Sequence, residues 1–251
     1  MPTTSIIMTY YKKSKYIYRT IKSILNQSNK NFEVIIVNDE INAESNKILN
    51  NIANLDKRIK IIKNKFNLGA GRSRNLALNY AKGTYVAFCD CDDIWSVDKL
   101  KKQIQIMKEK KLNFCFTAYN IIDTDGKLIG YRNAPKNIDY LRLLNSCDIG
   151  LSTVVIKKSI FRDKSLRFGK TKTKEDYILW LLIARKRIKF YGINQRLVSW
   201  RKTQNSLSSS TTQKLIDGFK VYRVYMGYGI IKSLIFIIIL SLNYLRKKIN
   251  K

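Results

Sequence analysis

Three carboxylates fall within four positions of the stretch F-C-D-C-D-D-I-W at 88–95: Asp90, Asp92 and Asp93. The chain has only 18 Asp and Glu against 48 Lys and Arg. Its scarce negative charge is therefore gathered at the end of an apolar run, where like charges repel. In a turn after a strand, alternate carboxylates can converge on one hard cation. Mg²⁺ and Mn²⁺ prefer oxygen ligands, and Mg²⁺ commonly combines one or two carboxylates with substrate phosphates. Such an ion would orient a diphosphate and neutralise the charge it gains as a leaving group. A plainer reading, with Asp93 or Ser96 capping the next helix, accounts for one acid and not three. Arg72 and Arg74, in what reads as a glycine loop, G-A-G-R-S-R, are either phosphate contacts or solvated charges. That stretch lacks the third glycine of a dinucleotide fingerprint, and no GxxxxGK[ST] phosphate loop occurs.

Composition narrows the chemistry further. The 251 residues contain no His, which excludes Ser-His-Asp and Cys-His mechanisms and any His-ligated metal. Cys89, Cys91, Cys115 and Cys147 form no CxxC pair, which argues against zinc. A hydrophobic fraction of 45% and 11% aromatic residues make a globular chain rather than a disordered basic tail. The net charge of +30 suits polyanionic surroundings: nucleic acid, anionic lipid or phosphorylated substrates. Lys, Asn and Ile enrichment throughout also fits simple compositional bias. The first residues, M-P-T-T-S-I-I-M-T-Y-Y-K-K, lack a signal peptide's pattern, so a cytoplasmic protein with reduced thiols is expected.

The elements that must position these groups alternate along the first half. Strands are expected at Ser5 to Met8, Phe32 to Val37, Arg58 to Ile62, Thr84 to Cys89 and Phe114 to Tyr119. Between them lie helical patterns: one capped by Ser14 with Ile17, Ile21, Ile24 and Leu25 on one face, one with Ile48, Leu49, Ile52 and Leu55, one over Leu76 to Ala81 stopped by Gly83, and one marked by Leu100, Ile104 and Met107. Strand-helix alternation predicts an α/β protein with a Rossmann-like, mainly parallel central sheet flanked by helices. Ligands of such sheets sit beyond the carboxyl ends of the strands. Thr9 and Tyr10, Asp39 and the acidic cluster fall just past predicted strand ends, so they should share one sheet edge. Beyond residue 120, Asp123-Thr-Asp125-Gly126 reads as a turn, Ser152 to Ile156 as a strand, and K-E-D-Y-I-L-W-L-L-I-A-R-K-R as a helix whose acidic start and basic end suit its dipole. Ile230 to Leu245 is apolar, but its uninterrupted stretch, Leu234 to Leu240, is shorter than the about 20 residues a membrane span needs. With Arg246, Lys247, Lys248 and Lys251 behind it, it reads as a helix on an anionic membrane surface, or as a core-packing or dimer-forming terminal helix.

The ordered set S-I-I-M-T-Y-Y, F-E-V-I-I-V-N-D-E, N-L-G-A-G-R-S-R-N, G-T-Y-V-A-F-C-D-C-D-D-I-W, K-E-D-Y-I-L-W-L and V-S-W-R-K-T-Q-N-S-L-S-S, from about Ser5 to Ser209, resembles the family 2 glycosyltransferases of bacterial surface-polysaccharide type. The resemblance implies a GT-A fold over 1–210, with 1–120 binding the nucleotide-sugar and 121–210 facing the acceptor, and a membrane-associating tail over 211–251. It implies Thr9 and Tyr10 at the nucleotide base, Asp39 at a uracil ring, and Arg74 and Asn75 shaping the donor pocket. Asp90 and Asp92 match the DxD motif, Asp90 toward the ribose and Asp92 toward Mn²⁺ or Mg²⁺. Asp176 matches the general base of an inverting transfer, and its place at a helix start should lower its pKa and keep it ionised at pH 7. The implied reaction moves a hexose or N-acetylhexosamine from a UDP-sugar to a lipid-linked or growing surface glycan (O-antigen, capsule or lipooligosaccharide), at the inner face of the cell membrane. Met8 and Tyr11 stand where the family usually has Pro and Asn, and Asn38-Asp39 has lost one carboxylate of an acid pair. Thr203 stands where many relatives have a metal-binding His, which should weaken metal affinity without donor.

Beyond these motifs, Lys157, Lys158, Arg162, Lys164, Arg167, Lys170, Lys172 and Lys174 form a basic run, expected in part to face a lipid diphosphate acceptor, or simply to be solvated. A sugar nucleotidyltransferase would need a glycine-rich basic loop after the first strand, where this chain has T-Y-Y-K-K-S. A nucleic-acid-binding protein is allowed by the charge, but no such motif appears and aromatic residues are not interleaved with the basic runs.

Overall fold

A computed structural model of the chain describes residues 1–203 and 210–249. The Q-N-S-L-S-S end of the last motif and Lys251 lie outside the described residues, as do the side chains of Lys247 and Lys248. The alternating pattern folds as β1 (Thr4–Tyr10), α1 (Ser14–Leu25), β2 (Phe32–Asn38), α2 (Ala43–Ala53), β3 (Ile59–Lys63), α3 (Ala70–Tyr80) and β4 (Tyr85–Phe88). Then come β5 (Ile94–Trp95), α4 (Lys99–Glu109), β6 (Phe114–Ile122), β7 (Leu128–Arg132), β8 (Asn137–Ile138), α5 (Tyr140–Asn145), β9 (Val155–Lys157), α6 (Glu175–Arg185), β10 (Phe190–Arg201), α7 (Thr211–Lys220) and α8 (Ile230–Ile249).

The strands join in one sheet of order β3-β2-β1-β4-β9-β6-β10-β5, with β7 on β6 and β8 on β10. β3, β2, β1 and β4 are mutually parallel, as helical crossovers require. β9 enters antiparallel between β4 and β6 and breaks that run. Parallel strands covered by helices on both faces read as near-continuous apolar runs. Accordingly β2 is buried along its whole length, and Ile6, Ile7, Met8, Val86, Ala87 and Phe88 have no exposure. Alternate residues feed two cores: Ile7, Val86 and Phe88 face α3 and α6, while Ile6, Met8 and Ala87 face α1 and α4.

Several expected boundaries move. β1 continues through Tyr10, so Thr9 and Tyr10 end the strand rather than follow it. Ser14 does not cap α1: Lys13 holds the N-cap position, and its carbonyl accepts from the Tyr16 and Ile17 N–H groups. Leu55 lies beyond α2 and is exposed. Gly71 to Arg74 are helical rather than loop, because α3 already begins at Ala70. The strand expected over Ser152 to Ile156 shortens to β9, preceded by a 3₁₀ turn at Leu151–Thr153. The expected turn at 123–126 is present, with Gly126 at φ +97 and the Asp123 carboxylate accepting three successive backbone N–H groups.

The C-terminal segment has two different faces. A π-helical turn at Val221–Tyr225 buries Tyr222, whose hydroxyl donates to the Leu144 carbonyl and meets Tyr177. Ser233 and Leu240 of α8 are buried, and Phe236 and Ile237 pack against the same core. Ile231, Leu234, Ile235, Ile238, Leu242 and Leu245 are exposed. Among the described residues no helix is long and apolar enough to cross a membrane.

Candidate active site

The carboxyl ends of β1, β2 and β4 lie side by side, which brings the predicted acids and their partners to one edge. β4 runs directly into the acidic turn. Its last ladder bond is Cys89 N–H to the Ile7 carbonyl, and Asp90 and Asp93 then close a turn. α1 holds that turn from one side, with Thr20 Oγ1 donating to the Cys91 carbonyl at 3.0 Å. Cys91 Sγ donates to the Thr9 carbonyl, tying the turn to β1.

The three carboxylates of the turn do not converge. Asp90 Oδ1 receives Arg74 Nη2 at 2.8 Å, and Asp90 keeps a side chain 35% exposed. Asp92 Oδ2 is ion-paired with Lys13 Nζ at 2.5 Å. Asp93 is buried and turned away: it accepts from Ser152 Oγ and from Arg201 N–H. Burial first, then the charges of Asp92 and Asp90, push the Asp93 carboxyl well above the usual carboxylate range. Neither Asp93 nor Ser96 caps α4, whose N-cap position is Asp98.

Arg74, expected in a loop, is the buried hub of the site. It leaves α3 with its guanidinium on Asp90 at one end and on Glu175 Oε1 at the other, 2.6 Å away. Burial opposes its charge, and the two carboxylates more than offset that. Arg72 is exposed. Asn75 is engaged with backbone: its amide donates to the Phe168 carbonyl and accepts the Phe168 N–H, clamping the chain that leads into α6.

Asp176 follows Glu175 in the first turn of α6. The expected lowering of its pKa does not occur. Burial, followed by the adjacent Glu175 charge, raises it to about 7, although Arg74 and the Tyr177 N–H favour the anion. Desolvation and a like charge outweigh the helix terminus here.

Two residues expected at the nucleotide base have other occupations. Tyr10 is 1% exposed and packs with the core beneath the sheet edge, and burial pushes its hydroxyl up to about 12. Asp39 is also buried, and its two oxygens accept from Leu68 N–H, Asn64 Nδ2 and Gly69 N–H at 2.7–2.9 Å. Three of its roughly four acceptor directions are thus used in holding the turn before α3. Thr9, partly exposed, remains at the edge.

The basic run divides. Lys157, Lys158, Arg162, Lys164 and Arg167 line a groove with Gly83 and Thr84, at the amino end of β4. That is the opposite end of the strand from Asp90, so these five do not face the acidic edge. Residues 170–174 stay with it, because Gly169 N–H donates to the Glu175 carbonyl and Lys174 precedes α6 in a left-handed conformation, φ 63.

Sequence reasoning missed Lys13, Ser152, Glu175 and Arg201 as partners of the acids. Glu175 had a signal in its pairing with Asp176; the other three are joined to their acids only by the tertiary fold. Among the described residues no group of three or more acidic, Cys or His side chains could hold a metal. The residues fit a divalent ion only as a one-carboxylate site, Asp92 with a substrate diphosphate, which is within the habit of Mg²⁺.

This geometry accompanies clear similarities. The sequence model of Glycosyl transferase family 2 matches residues 5–169. The chain is 37% identical over 216 residues, 86% of its length and 84% of the relative's, to WfaP of Escherichia coli, UDP-Glc:alpha-D-GlcNAc-diphosphoundecaprenol beta-1,3-glucosyltransferase. It is 35% identical over 223 residues, 88% of each chain, to TuaG of Bacillus subtilis (strain 168), whose name places it provisionally in teichuronic acid biosynthesis. In fold it is similar to Staphylococcus aureus TarS in complex with UDP-GlcNAc, with a TM-score of 0.73 at 21% identity over 94% of this chain and 70% of that one. With a parallel half-sheet over β1 to β4 and the acidic turn at its carboxyl edge, the chain is a GT-A-fold glycosyltransferase and belongs to glycosyl transferase family 2.

Proposed function

We propose that the chain moves a hexose or N-acetylhexosamine from a UDP-sugar to a hydroxyl of a lipid-linked or growing surface glycan, with inversion at the anomeric carbon. The observation that carries the reading is the Arg74 bridge: one buried guanidinium fixes Asp90 and the start of α6, so donor acid and proposed base share one sheet edge. The named reactions of WfaP and its relative WfgD, also UDP-Glc:alpha-D-GlcNAc-diphosphoundecaprenol beta-1,3-glucosyltransferase, support the donor and acceptor classes.

In the proposed reaction an acceptor O–H gives its proton to Asp176 as the oxygen bonds to the anomeric carbon. The bond from that carbon to the diphosphate oxygen breaks, and UDP leaves with the electron pair. A base with a pKa near 7 is matched to this task at neutral pH. Asp90 is the acid of the turn exposed enough to meet a ribose hydroxyl, and Thr9 supplies the edge beside the base. Tyr10, Asp39 and Asn75 act by holding the walls of the pocket. A Mn²⁺ or Mg²⁺ ion on Asp92 would offset charge on the departing diphosphate. A mannosyltransferase of Pyrobaculum calidifontis, solved with GDP-Man and Mn²⁺, shares the fold at a TM-score of 0.68 and 12% identity. The exposed apolar face of α8 supports peripheral attachment of 211–251 at the inner face of the membrane, close to a lipid-linked acceptor.

The test is to incubate the chain with UDP-Glc, UDP-Gal or UDP-GlcNAc and a synthetic GlcNAc-diphospholipid. Mass spectrometry should find one added sugar, NMR should show the inverted linkage, and Asp176→Asn should lower the rate by about 10²–10⁴-fold. Failure of every UDP-sugar to bind or react would sink the reading.

A further inference from the structure

Asp90, Asp92 and Asp93 of the acidic turn each have a resident partner among the described residues, and the partner of Asp92 is a lysine. Lys13 Nζ lies 2.5 Å from Asp92 Oδ2 and 3.5 Å from Thr203 Oγ1. The pair is largely enclosed, with side chains 26% and 10% exposed. Its delivery is built into the backbone. Lys12 adopts φ +51, a left-handed conformation costly for a residue with a Cβ, and the Glu40 carboxylate receives its N–H at 2.7 Å. Lys13 then occupies the N-cap position of α1, which fixes where its side chain starts.

The other two acids of the turn, and Glu175, are committed elsewhere. Asp90 and Glu175 share Arg74, and Asp93 is held by Ser152 and Arg201. The chain contains no His to add a neutral metal ligand. A divalent ion arriving at Asp92 therefore meets an ammonium already there. An ammonium has three donors, so Lys13 can hold Asp92 and still donate to a phosphate oxygen beside it. Its place past β1, next to the end of β4, is where the ligand of such a sheet sits.

We infer that Lys13 is the built-in cation of the donor site: it binds the nucleotide diphosphate without metal, and a divalent ion must displace it from Asp92 to bind. The inference rests on the proposed UDP-sugar donor.

Calorimetry with UDP, in EDTA and then in Mn²⁺, on the wild type, Lys13→Met and Lys13→Arg tests it. Expected is UDP binding by the wild type in EDTA, a roughly tenfold or greater loss in Lys13→Met, and retention within a fewfold in Lys13→Arg, in keeping with a charge-assisted contact. Mn²⁺ alone, followed by electron paramagnetic resonance, should bind Lys13→Met more tightly than the wild type. UDP affinity in EDTA that is equal in wild type and Lys13→Met would overturn the inference and leave the donor reading standing. So would UDP binding by the wild type only when Mn²⁺ is present, a result that does not depend on how any variant folds. UDP bound by no protein under either condition would overturn the donor reading and this inference together.

Discussion

Asp176 owes its high pKa first to burial and then to the like charge of Glu175. Its surroundings withhold water and Glu175 adds a like charge, while Arg74 pulls the other way. The net value of about 7 sets an expectation for the rate. Because the proposed base must be ionised, kcat/KM should be level above neutral pH and fall about tenfold per pH unit below about 7. Glu175→Gln removes the like charge, so the midpoint of that acid limb should move to lower pH. A pH-rate profile of the wild type and the variant checks both statements, and a limb centred near about pH 4, the ordinary aspartate range, would show that the site does not raise the base's pKa. The same residue-scale logic explains three acids in one turn. Their repulsion is relieved one at a time, by Arg74, by Lys13 and by the Ser152 hydroxyl with the Arg201 amide, instead of by one shared ion.

At the scale of elements, the site depends on how closely α3 approaches the start of α6. Gly71 makes that approach possible. A Cβ at this position would stand 2.2 Å from the Gly169 carbonyl oxygen and 3.1 Å from Glu175 Cβ. The first contact is with the backbone of the loop that leads into α6, so α3 and that loop would have to part. Gly71→Ala should cost about 1–3 kcal/mol in chemical denaturation, the usual range for overpacking. It should also weaken UDP binding, because the Arg74 bridge between Asp90 and Glu175 spans that gap. Unaltered stability and binding would show that the approach is looser than the contact implies. The start of α3 is set from a distance too: Asp39, at the end of β2, accepts the Leu68 and Gly69 N–H groups.

Over the whole molecule, charge and apolar surface act together. The net charge is +30, and α8 exposes Ile231, Leu234, Ile235, Ile238 and Leu242 on the side away from the core, with Lys220, Arg223, Lys232 and Arg246 exposed around them. Apolar contact and attraction to anionic lipid are the two ingredients of interfacial helix binding. Vesicle sedimentation should show binding to phosphatidylglycerol-containing vesicles that weakens with salt. Replacing the apolar contacts, as Ile231→Glu, Ile235→Glu and Ile238→Glu together, should reduce binding tenfold or more. Each buried isoleucine contributes about 1.5–3 kcal/mol. Binding that survives these changes would argue that the face serves another purpose.

How much was legible in the sequence follows from the range of the interactions. Apolar periodicity and strand-helix alternation are local, and they announced the parallel half-sheet, its carboxyl edge and the residues along it. Motif order, with D-C-D-D at the end of a strand and E-D at the start of a helix, announced the family. What each carboxylate does was decided only by partners remote in sequence: Arg74 for Asp90, Lys13 for Asp92, Ser152 and Arg201 for Asp93, and the Leu68–Gly69 turn for Asp39. The sign of the Asp176 shift was misjudged for the same reason. A helix start is written in the local sequence, whereas burial exists only once α3, α6 and the end of β4 have packed together.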